Sequence, residues 1–253
     1  MNLKYVIITA VIVIAVAVIG AIFALRILYK PTGPTFNELF TYTSNNTYTA
    51  NYNYYIYSNI AGQVSTEDYL FTYSQRGGLT ERYIVITTTS APQMSLYIVT
   101  TQLSNGTMIQ CIAEPLYAGC TSTNQTFNLI YLALPIVNTS SFTLIGEQKI
   151  LGYNAYCYMS RNTTMLGNVM PSAVQAGLGS IPPVNVTSEV CMTPPDGVPL
   201  LIKLSVFTTL SISGYSAPIN ITQSLQAINV QDGIYLSSNA TALLNSLGVN
   251  ETG

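Results

Sequence analysis

The chain has 253 residues, of which only 18 are charged: eight Lys or Arg and ten Asp or Glu, giving a formal net charge of −2. Hydrophobic residues make up 49% of the chain, which argues against intrinsic disorder because disordered chains are poor in apolar residues and rich in charge. So few basic residues argue against nucleic-acid binding, and the absence of histidine removes the commonest general base and metal ligand.

The chain begins with a segment that predicts a membrane anchor. Residues Tyr5–Leu25 form an uncharged run of 21 residues, which as a helix rises about 31 Å and matches the hydrocarbon core of a bilayer. The alternative is a cleaved signal peptide, whose apolar core is usually about 7–15 residues long and ends in a small-x-small site that the end of this run lacks. We therefore expect a cytoplasmic N-terminus at residues 1–4, a transmembrane anchor at residues 5–25, a linker at residues 26–34 and an extracytoplasmic β-rich domain at residues 35–253.

The orientation of the anchor is predicted from the residues that follow it. The amino terminus and Lys4 precede the run and Arg26 and Lys30 follow it, so the positive-inside rule does not decide the orientation. All nine Asn-x-Ser/Thr sequons come after the anchor, and their number is roughly twice what the composition gives by chance. We therefore predict that the domain lies outside the cytoplasm and is glycosylated at several of these sites. The sequons are Asn45, Asn105, Asn124, Asn138, Asn162, Asn185, Asn220, Asn239 and Asn250.

The four cysteines also follow the anchor. They form no CxxC motif, and no histidine completes a zinc site, so the sequence favours disulfides over a metal site. Three pairings are possible. We favour Cys111–Cys120 and Cys157–Cys191, because each pair joins segments that we expect to lie close together in the fold. Disulfides are typical of an oxidising, extracytoplasmic compartment.

The remainder of the chain predicts mainly β-strands after one short helix. A capping box at Thr35 and Glu38 predicts a helix over Phe36–Thr43. Between Thr47 and Tyr57 a tyrosine-rich face alternates with a face of Asn and Thr, as in a half-buried strand. Further strands are predicted at Val64–Ser74, Leu79–Thr88, Met94–Leu103, Thr107–Ala113, Phe142–Gly146, Gly152–Ser160, Thr187–Thr193, Pro199–Thr209 and Ile219–Val230.

Two apolar segments interrupt this series of strands. Gln125–Val137 lacks charge and predicts a short buried helix. Met165–Pro183 is apolar, rich in glycine and contains methionine. It is interpreted either as an ordinary packed insertion or as a mobile lid over an apolar cavity, in which Val174 is a candidate pocket residue. Near the C-terminus, Ser238–Leu247 predicts a short helix that ends at Gly248.

The stretch Gly146–Leu200 carries a family resemblance. A strand with Gly152–Tyr153 and Tyr156–Tyr158 is followed, after an insertion, by a strand with Val190–Cys191 and an Asp-Gly turn. This pattern resembles extracytoplasmic proteins of the LolA/LppX type. The resemblance implies a mainly β (β-rich α+β) fold, in which a curved antiparallel sheet forms a half-barrel and a few short helices close its open side around a hydrophobic cavity.

The function implied by the resemblance is binding, because the family is not enzymatic. The residues agree: there is no histidine, and the neighbouring Glu67 and Asp68 point to opposite faces of a strand, where they cannot act as a pair. We expect no enzymatic activity, no cofactor and no metal, and a membrane-anchored glycoprotein that binds a lipid or other apolar ligand. The alternative is a structural cell-surface glycoprotein (an envelope, filament or adhesion component) without a small-molecule ligand. The sequence identifies no protein partner.

The ligand is expected in a pocket of about 300–1,000 Å³ on the concave face of the sheet. Both apolar segments interrupt the strands, so each must bury its apolar side chains against another part of the fold. The concave face of the sheet is the surface on which they can pack. The residues expected to line the pocket are Tyr52, Tyr54, Leu96, Ile98, Val174, Ile202 and Leu204.

Overall fold

The computed structural model describes residues 32–90, 92–124, 128–134, 138–165, 183–212 and 215–249. The predicted anchor at residues 5–25 lies outside the described residues, as do Val174 and most of the predicted lid. Within the described ranges, no helix is long and apolar enough to cross a bilayer. From Pro34 onward the chain forms one compact unit.

The described residues form eleven antiparallel strands in one curved, open sheet. The strands are β1 (Tyr48–Ile60), β2 (Gln63–Gln75), β3 (Arg82–Thr88), β4 (Ser95–Gln102), β5 (Met108–Glu114), β6 (Tyr117–Ser122), β7 (Thr143–Ile150), β8 (Tyr153–Thr164), β9 (Val184–Met192), β10 (Pro199–Ile212) and β11 (Tyr215–Asp232). Their order is β6-β5-β4-β3-β2-β1-β11-β10-β9-β8-β7. Two meanders, β1 to β6 and β7 to β11, are therefore joined edge to edge by the pairing of β1 with β11. The mainly β fold predicted from the sequence is confirmed.

Within the described ranges, three α-helices accompany the sheet: α1 (Phe36–Asn45), α2 (Leu129–Ala133) and α3 (Ser237–Ser246). The predicted capping box begins α1, since Thr35 Oγ1 accepts a hydrogen bond from Glu38 N at 3.3 Å and Glu38 Oε2 accepts one from Thr35 N at 2.6 Å. The first helix continues two residues beyond its predicted end. In the second predicted helical segment, the described helix is only a single turn.

The alternation of side chains gives the sheet two faces with different partners. The inner face, which carries Tyr52, Tyr73 and Ile202, packs with Phe36 and Leu39 of α1 in the main hydrophobic core. The outer face packs with α3 in a second, smaller cluster. That cluster is built from Tyr83, Val99, Cys111, Ala240 and Leu244.

One strand, β6, was not predicted from the sequence. It contains Ala118 and Gly119 in place of the β-branched residues that mark a strand, and five of its six residues are exposed. Its position is set by its partner, because Cys120 lies directly opposite Cys111 on β5. An edge strand of this kind is defined by its pairing with the neighbouring strand and not by its own sequence pattern.

Both predicted disulfides are present, Cys111–Cys120 and Cys157–Cys191. Each joins residues that lie directly opposite each other on neighbouring strands. Cys157 and Cys191 are fully buried, whereas Cys120 lies at the exposed edge of the sheet. The favoured pairing is therefore confirmed.

Buried hydrogen bonds hold the C-terminal half of α1 against the sheet. Gln75 Nε2 on β2 donates to the backbone oxygens of Thr43, at 2.6 Å, and Asn46, at 2.7 Å. The Thr43 hydroxyl donates to the backbone oxygen of Gly197, in the turn between β9 and β10. A Cβ at Gly197 would collide with the backbone oxygen of Leu39 and would lie 2.8 Å from Thr43 N. Only glycine therefore lets the helix approach this turn so closely.

We predict that Gly197→Ala destabilises the protein more than Gly233→Ala does. Both glycines have a φ of +69°, but a Cβ at Gly233 would meet no atom within 4 Å. Gly233→Ala should cost about 1–2 kcal/mol for the left-handed backbone alone. Gly197→Ala should cost about 1–3 kcal/mol more, because α1 must also move away from the turn. Chemical denaturation of the two purified variants measures the difference, and equal losses would contradict the close packing of α1.

Candidate functional site

An apolar cavity of about 190 Å³ lies on the inner face of the sheet. Five strands (β1, β2, β3, β4 and β11) and the helix α2 contribute to its wall. Seven of the described side chains line the cavity; six of them are pure hydrocarbon, and the seventh is a tyrosine. The lining residues are Tyr54, Phe71, Ile84, Ile86, Ile98, Leu129 and Leu225.

The strand register explains why these side chains meet. Ile84 lies opposite Ile98 on the neighbouring strand, and Tyr54 lies opposite Leu225 across the junction between β1 and β11. The Tyr54 ring also approaches Phe71 edge-on, with the ring centroids 6.4 Å apart. The wall is thus assembled from residues more than 150 positions apart in the chain.

The helix α2 contributes one wall of the cavity and is fixed by its own N-cap. The Asn128 side chain is buried; its Oδ1 accepts from Tyr131 N at 3.1 Å and its Nδ2 donates to Ser44 Oγ, in α1, at 3.2 Å. The Tyr131 ring also contacts the Phe40 ring of α1 edge-on, with centroids 5.1 Å apart. These contacts tie the short helix to α1 and hold Leu129 against the cavity.

The inner face also carries four fully buried tyrosines, Tyr48, Tyr52, Tyr73 and Tyr158. Burial raises the pKa of Tyr48, Tyr52 and Tyr73 above the ordinary value of 10. Tyr52 donates to Pro199 O at 2.8 Å and Tyr73 donates to Gln75 Oε1 at 2.9 Å. The Tyr48 hydroxyl has no hydrogen-bond partner in the described part of the chain. The large rings fill this part of the inner face, so they account for its solid packing.

The polar group in the cavity wall is uncharged. Burial raises the pKa of the Tyr54 hydroxyl, and the nearby Glu67 carboxylate raises it further. Tyr54 therefore remains neutral throughout the physiological pH range. A wall without charge favours hydrocarbon over an ionised group, whose burial without a partner is costly.

Of the residues predicted to line the pocket, Tyr54 and Ile98 are part of the cavity wall. Leu96 is half-buried on the inner face, opposite the wall residue Ile86. Val174 lies outside the described residues.

The other three predicted residues, Tyr52, Ile202 and Leu204, lie in the filled core of the inner face, at most 6% exposed. The cavity is accordingly smaller than the 300–1,000 Å³ expected from the sequence. The wall residues that the sequence analysis missed are Phe71, Ile84, Ile86, Leu129 and Leu225. All of them fell within elements predicted correctly, but their grouping depends on the strand register.

Among the described residues, Cys157, Glu189 and Cys191 place three possible metal-ligand atoms within 4.8 Å of one another. Both sulfurs are joined in the disulfide, and a metal requires the thiolate. One carboxylate is then left, so this group does not form a metal site.

The sequons differ in how accessible their asparagines are. Asn162 is half-buried, and its Nδ2, the atom that would carry a sugar, donates to Ser160 Oγ at 3.0 Å and to Ser141 Oγ at 3.4 Å. Asn250 lies outside the described residues. The exposed asparagines are Asn45, Asn105, Asn124, Asn138, Asn185, Asn220 and Asn239.

Comparison with known proteins finds no matching family model and no matching curated protein. Several solved structures resemble the fold at low sequence identity, among them the following three. A DUF1329 family protein from Desulfovibrio piger is 10% identical, with a TM-score of 0.33, and the match covers 84% of this chain and 100% of that one. A domain of an outer membrane lipoprotein-sorting protein from Vibrio parahaemolyticus is 10% identical, with a TM-score of 0.32 and coverages of 83% and 97%. LprF from Mycobacterium bovis is 12% identical, with a TM-score of 0.31 and coverages of 74% and 89%.

These neighbours include a domain of a lipoprotein-sorting protein. With TM-scores below 0.5, they say nothing about the function of this chain.

We predict that Tyr48→Phe and Tyr52→Phe have different effects on stability. Tyr52→Phe leaves the backbone oxygen of Pro199 without its donor and should lower the free energy of unfolding by about 1–3 kcal/mol. Tyr48→Phe removes a buried hydroxyl that has no partner in the described structure and should leave stability unchanged or raise it. Chemical denaturation at neutral pH measures both, and an equal loss in the two variants would contradict the assigned hydrogen bonds.

We also predict a loss of stability in alkali. A tyrosine of the unfolded chain ionises near pH 10, whereas burial raises the pKa of Tyr48, Tyr52 and Tyr73 in the folded protein. The stability that these neutral, buried tyrosines contribute is therefore fully present below about pH 10. It is lost as the pH rises through their folded-state pKa values. Denaturation at a series of pH values should show this fall, with the tyrosinate absorbance of Tyr48, Tyr52 and Tyr73 appearing together with unfolding. Ionisation of all tyrosines near pH 10 in the folded protein would contradict it.

Proposed function

We propose that this protein is a membrane-anchored, extracytoplasmic glycoprotein that binds a lipid or other apolar ligand in the inner-face cavity. The observation that carries the proposal is the described cavity wall, in which six hydrocarbon side chains and one neutral tyrosine line a partly open space of about 190 Å³. Water gains few hydrogen bonds in such a space, so hydrocarbon is the favoured occupant.

The volume fits part of a lipid. An apolar cavity of about 150 Å³ accepts a molecule of the size of benzene, so this cavity suits the end of an acyl chain or a single ring. Each methylene group transferred from water contributes about 0.8 kcal/mol to binding. The polar end of such a ligand would remain outside the wall formed by Tyr54 and the three isoleucines.

The proposed role is binding without catalysis. The described cavity wall offers no carboxylate, thiol or amine, and the raised pKa keeps its one hydroxyl protonated. General acid–base and nucleophilic catalysis both need such a group beside the reacting atoms.

The proposed location rests on the two disulfides and the distribution of the sequons. Both disulfides lie after the apolar segment Tyr5–Leu25, in a domain whose sequons are mostly exposed. Disulfides persist in compartments outside the cytoplasm. The support for the anchor itself is the uncharged length of that segment.

The ligand proposal is tested with Ile98→Trp, which fills the cavity from β4. A dansyl-labelled fatty acid should bind the unchanged protein, and Ile98→Trp should weaken its affinity at least tenfold. Leu116→Trp is the matched control, because Leu116 is 98% exposed in the turn between β5 and β6 and should keep the original affinity.

Native mass spectrometry of the purified protein should also detect a lipid that co-purifies with it. Absence of both the lipid and fatty-acid binding would reject the ligand proposal and leave the structural surface glycoprotein as the remaining interpretation. Equal fatty-acid affinity in the two tryptophan variants would mean that the ligand binds elsewhere.

The topology is tested by adding protease to intact cells that produce the full chain with a C-terminal epitope. The domain should be cleaved and the epitope lost, because residues after the anchor are expected outside. A protected epitope together with an accessible N-terminus would reverse the orientation and remove the basis for glycosylation.

A further inference from the structure

An exposed aromatic ring lies in the middle of the polar outer face. Phe207 on β10 is 57% exposed, and its neighbours on the same face and strand are Ser205 and Thr209. A single exposed hydrophobic residue is common in proteins and by itself indicates nothing. Phe207 differs from a single exposed residue because of the residues that lie opposite it on the two neighbouring strands.

The strand register places a sequon on each side of Phe207. On β9, Asn185 lies directly opposite Phe207, and on β11, Asn220 does the same. Two residues along, Thr187 and Thr222 both lie opposite Ser205. The two sequons are therefore aligned with each other across β10, with the aromatic ring between their asparagines.

Both sequons point their reactive residues outward. The middle residues, Val186 and Ile221, are buried on the inner face, so alternation places Asn and Thr of each sequon on the outer face. Asn185 Oδ1 accepts from the Thr163 hydroxyl at 3.2 Å, which leaves its Nδ2 without a bond to the described residues. In Asn162, by contrast, Nδ2 is already bonded to two hydroxyls.

The distance between the two asparagines allows one sugar from each to pack on the Phe207 ring. Neighbouring strands lie about 4.8 Å apart, so the asparagines are about 10 Å apart with Phe207 midway. A sugar joined to either Nδ2 is within reach of the ring, and the C–H groups of a pyranose are attracted to the negative face of an aromatic ring.

We propose that Asn185 and Asn220 both carry N-linked glycans whose first sugars pack on Phe207 and cover this part of the outer face. The inference rests on the glycosylation and outside location in the proposed function. The co-reactant is a glycan linked to a lipid phosphate. Asparagine Nδ2 forms a bond to the anomeric carbon, the bond from that carbon to the phosphate oxygen breaks, and the amide proton leaves with the lipid phosphate.

The first test is glycopeptide mass spectrometry of the full chain purified from its native membrane. Asn185 and Asn220 should each carry a glycan, and Asn185→Gln and Asn220→Gln should each remove the mass of one glycan. Asn162→Gln, the matched control, should leave the mass of the attached glycans unchanged. An unmodified Asn185 or Asn220 overturns the proposal.

The second test measures whether Phe207 contacts the glycans. Phe207→Ala should raise the equilibrium constant for unfolding at least fivefold more in the glycosylated protein than in the Asn185→Gln/Asn220→Gln protein. Tyr153→Ala, at another exposed aromatic residue, should have the same effect in both backgrounds. An equal effect of Phe207→Ala in both backgrounds overturns the packing of the sugars on the ring.

Fatty-acid binding by the same samples separates this inference from the ligand proposal. The Asn185→Gln/Asn220→Gln protein should keep its affinity, because both asparagines lie on the face opposite the cavity. Binding without glycans at these two sites would reject the inference alone. Glycans at both sites without binding would reject the ligand proposal alone, and a chain without any glycan would reject the inference together with the glycosylation that it rests on.

Discussion

The pairing of β1 with β11 is the constraint on which the rest of the structure depends. It joins strands about 170 positions apart and makes one continuous sheet from two meanders. Through this pairing, Tyr54 and Leu225 become neighbours, and the cavity extends across the junction. The helix α1 then packs on the combined inner face, anchored by Gln75 from the first meander and by Gly197 from the second. Both meanders therefore contribute to the core and to the site.

The inner face is solid in one region and open in another because its side chains differ. Tyr48, Tyr52 and Tyr73 bring large rings whose burial, together with α1, fills the space to the density that protein interiors usually reach. Beside them, the isoleucines of β3 and β4 are shorter, and the single turn of α2 covers them with Leu129. The cavity lies where short side chains face a short helix. The same arrangement that limits its volume makes its wall almost entirely hydrocarbon.

The sequence predicted the helices and strands better than it predicted which of their side chains meet in the cavity wall. The period-two pattern identified the inner face of β1, and the capping box identified the start of α1. The cavity wall could not be derived in this way, because Ile84 meets Ile98 only through register, and Leu225 meets Tyr54 only through the pairing of the two meanders. The size of the pocket also depends on how far α2 fills the space, which is a property of tertiary packing. The position of β6 is set by its pairing with β5, so the sequence of β6 alone did not predict a strand.

The central claim is that the space between Ile98 and Leu129 receives hydrocarbon. The most direct measurement is anomalous diffraction from crystals of the protein soaked with a fatty acid brominated at its terminal carbon. We expect a bromine peak inside the cavity, in contact with Ile98 and Leu129. Leu129 packed directly against the isoleucines of β3 and β4, with no bromine peak on the inner face, would contradict it.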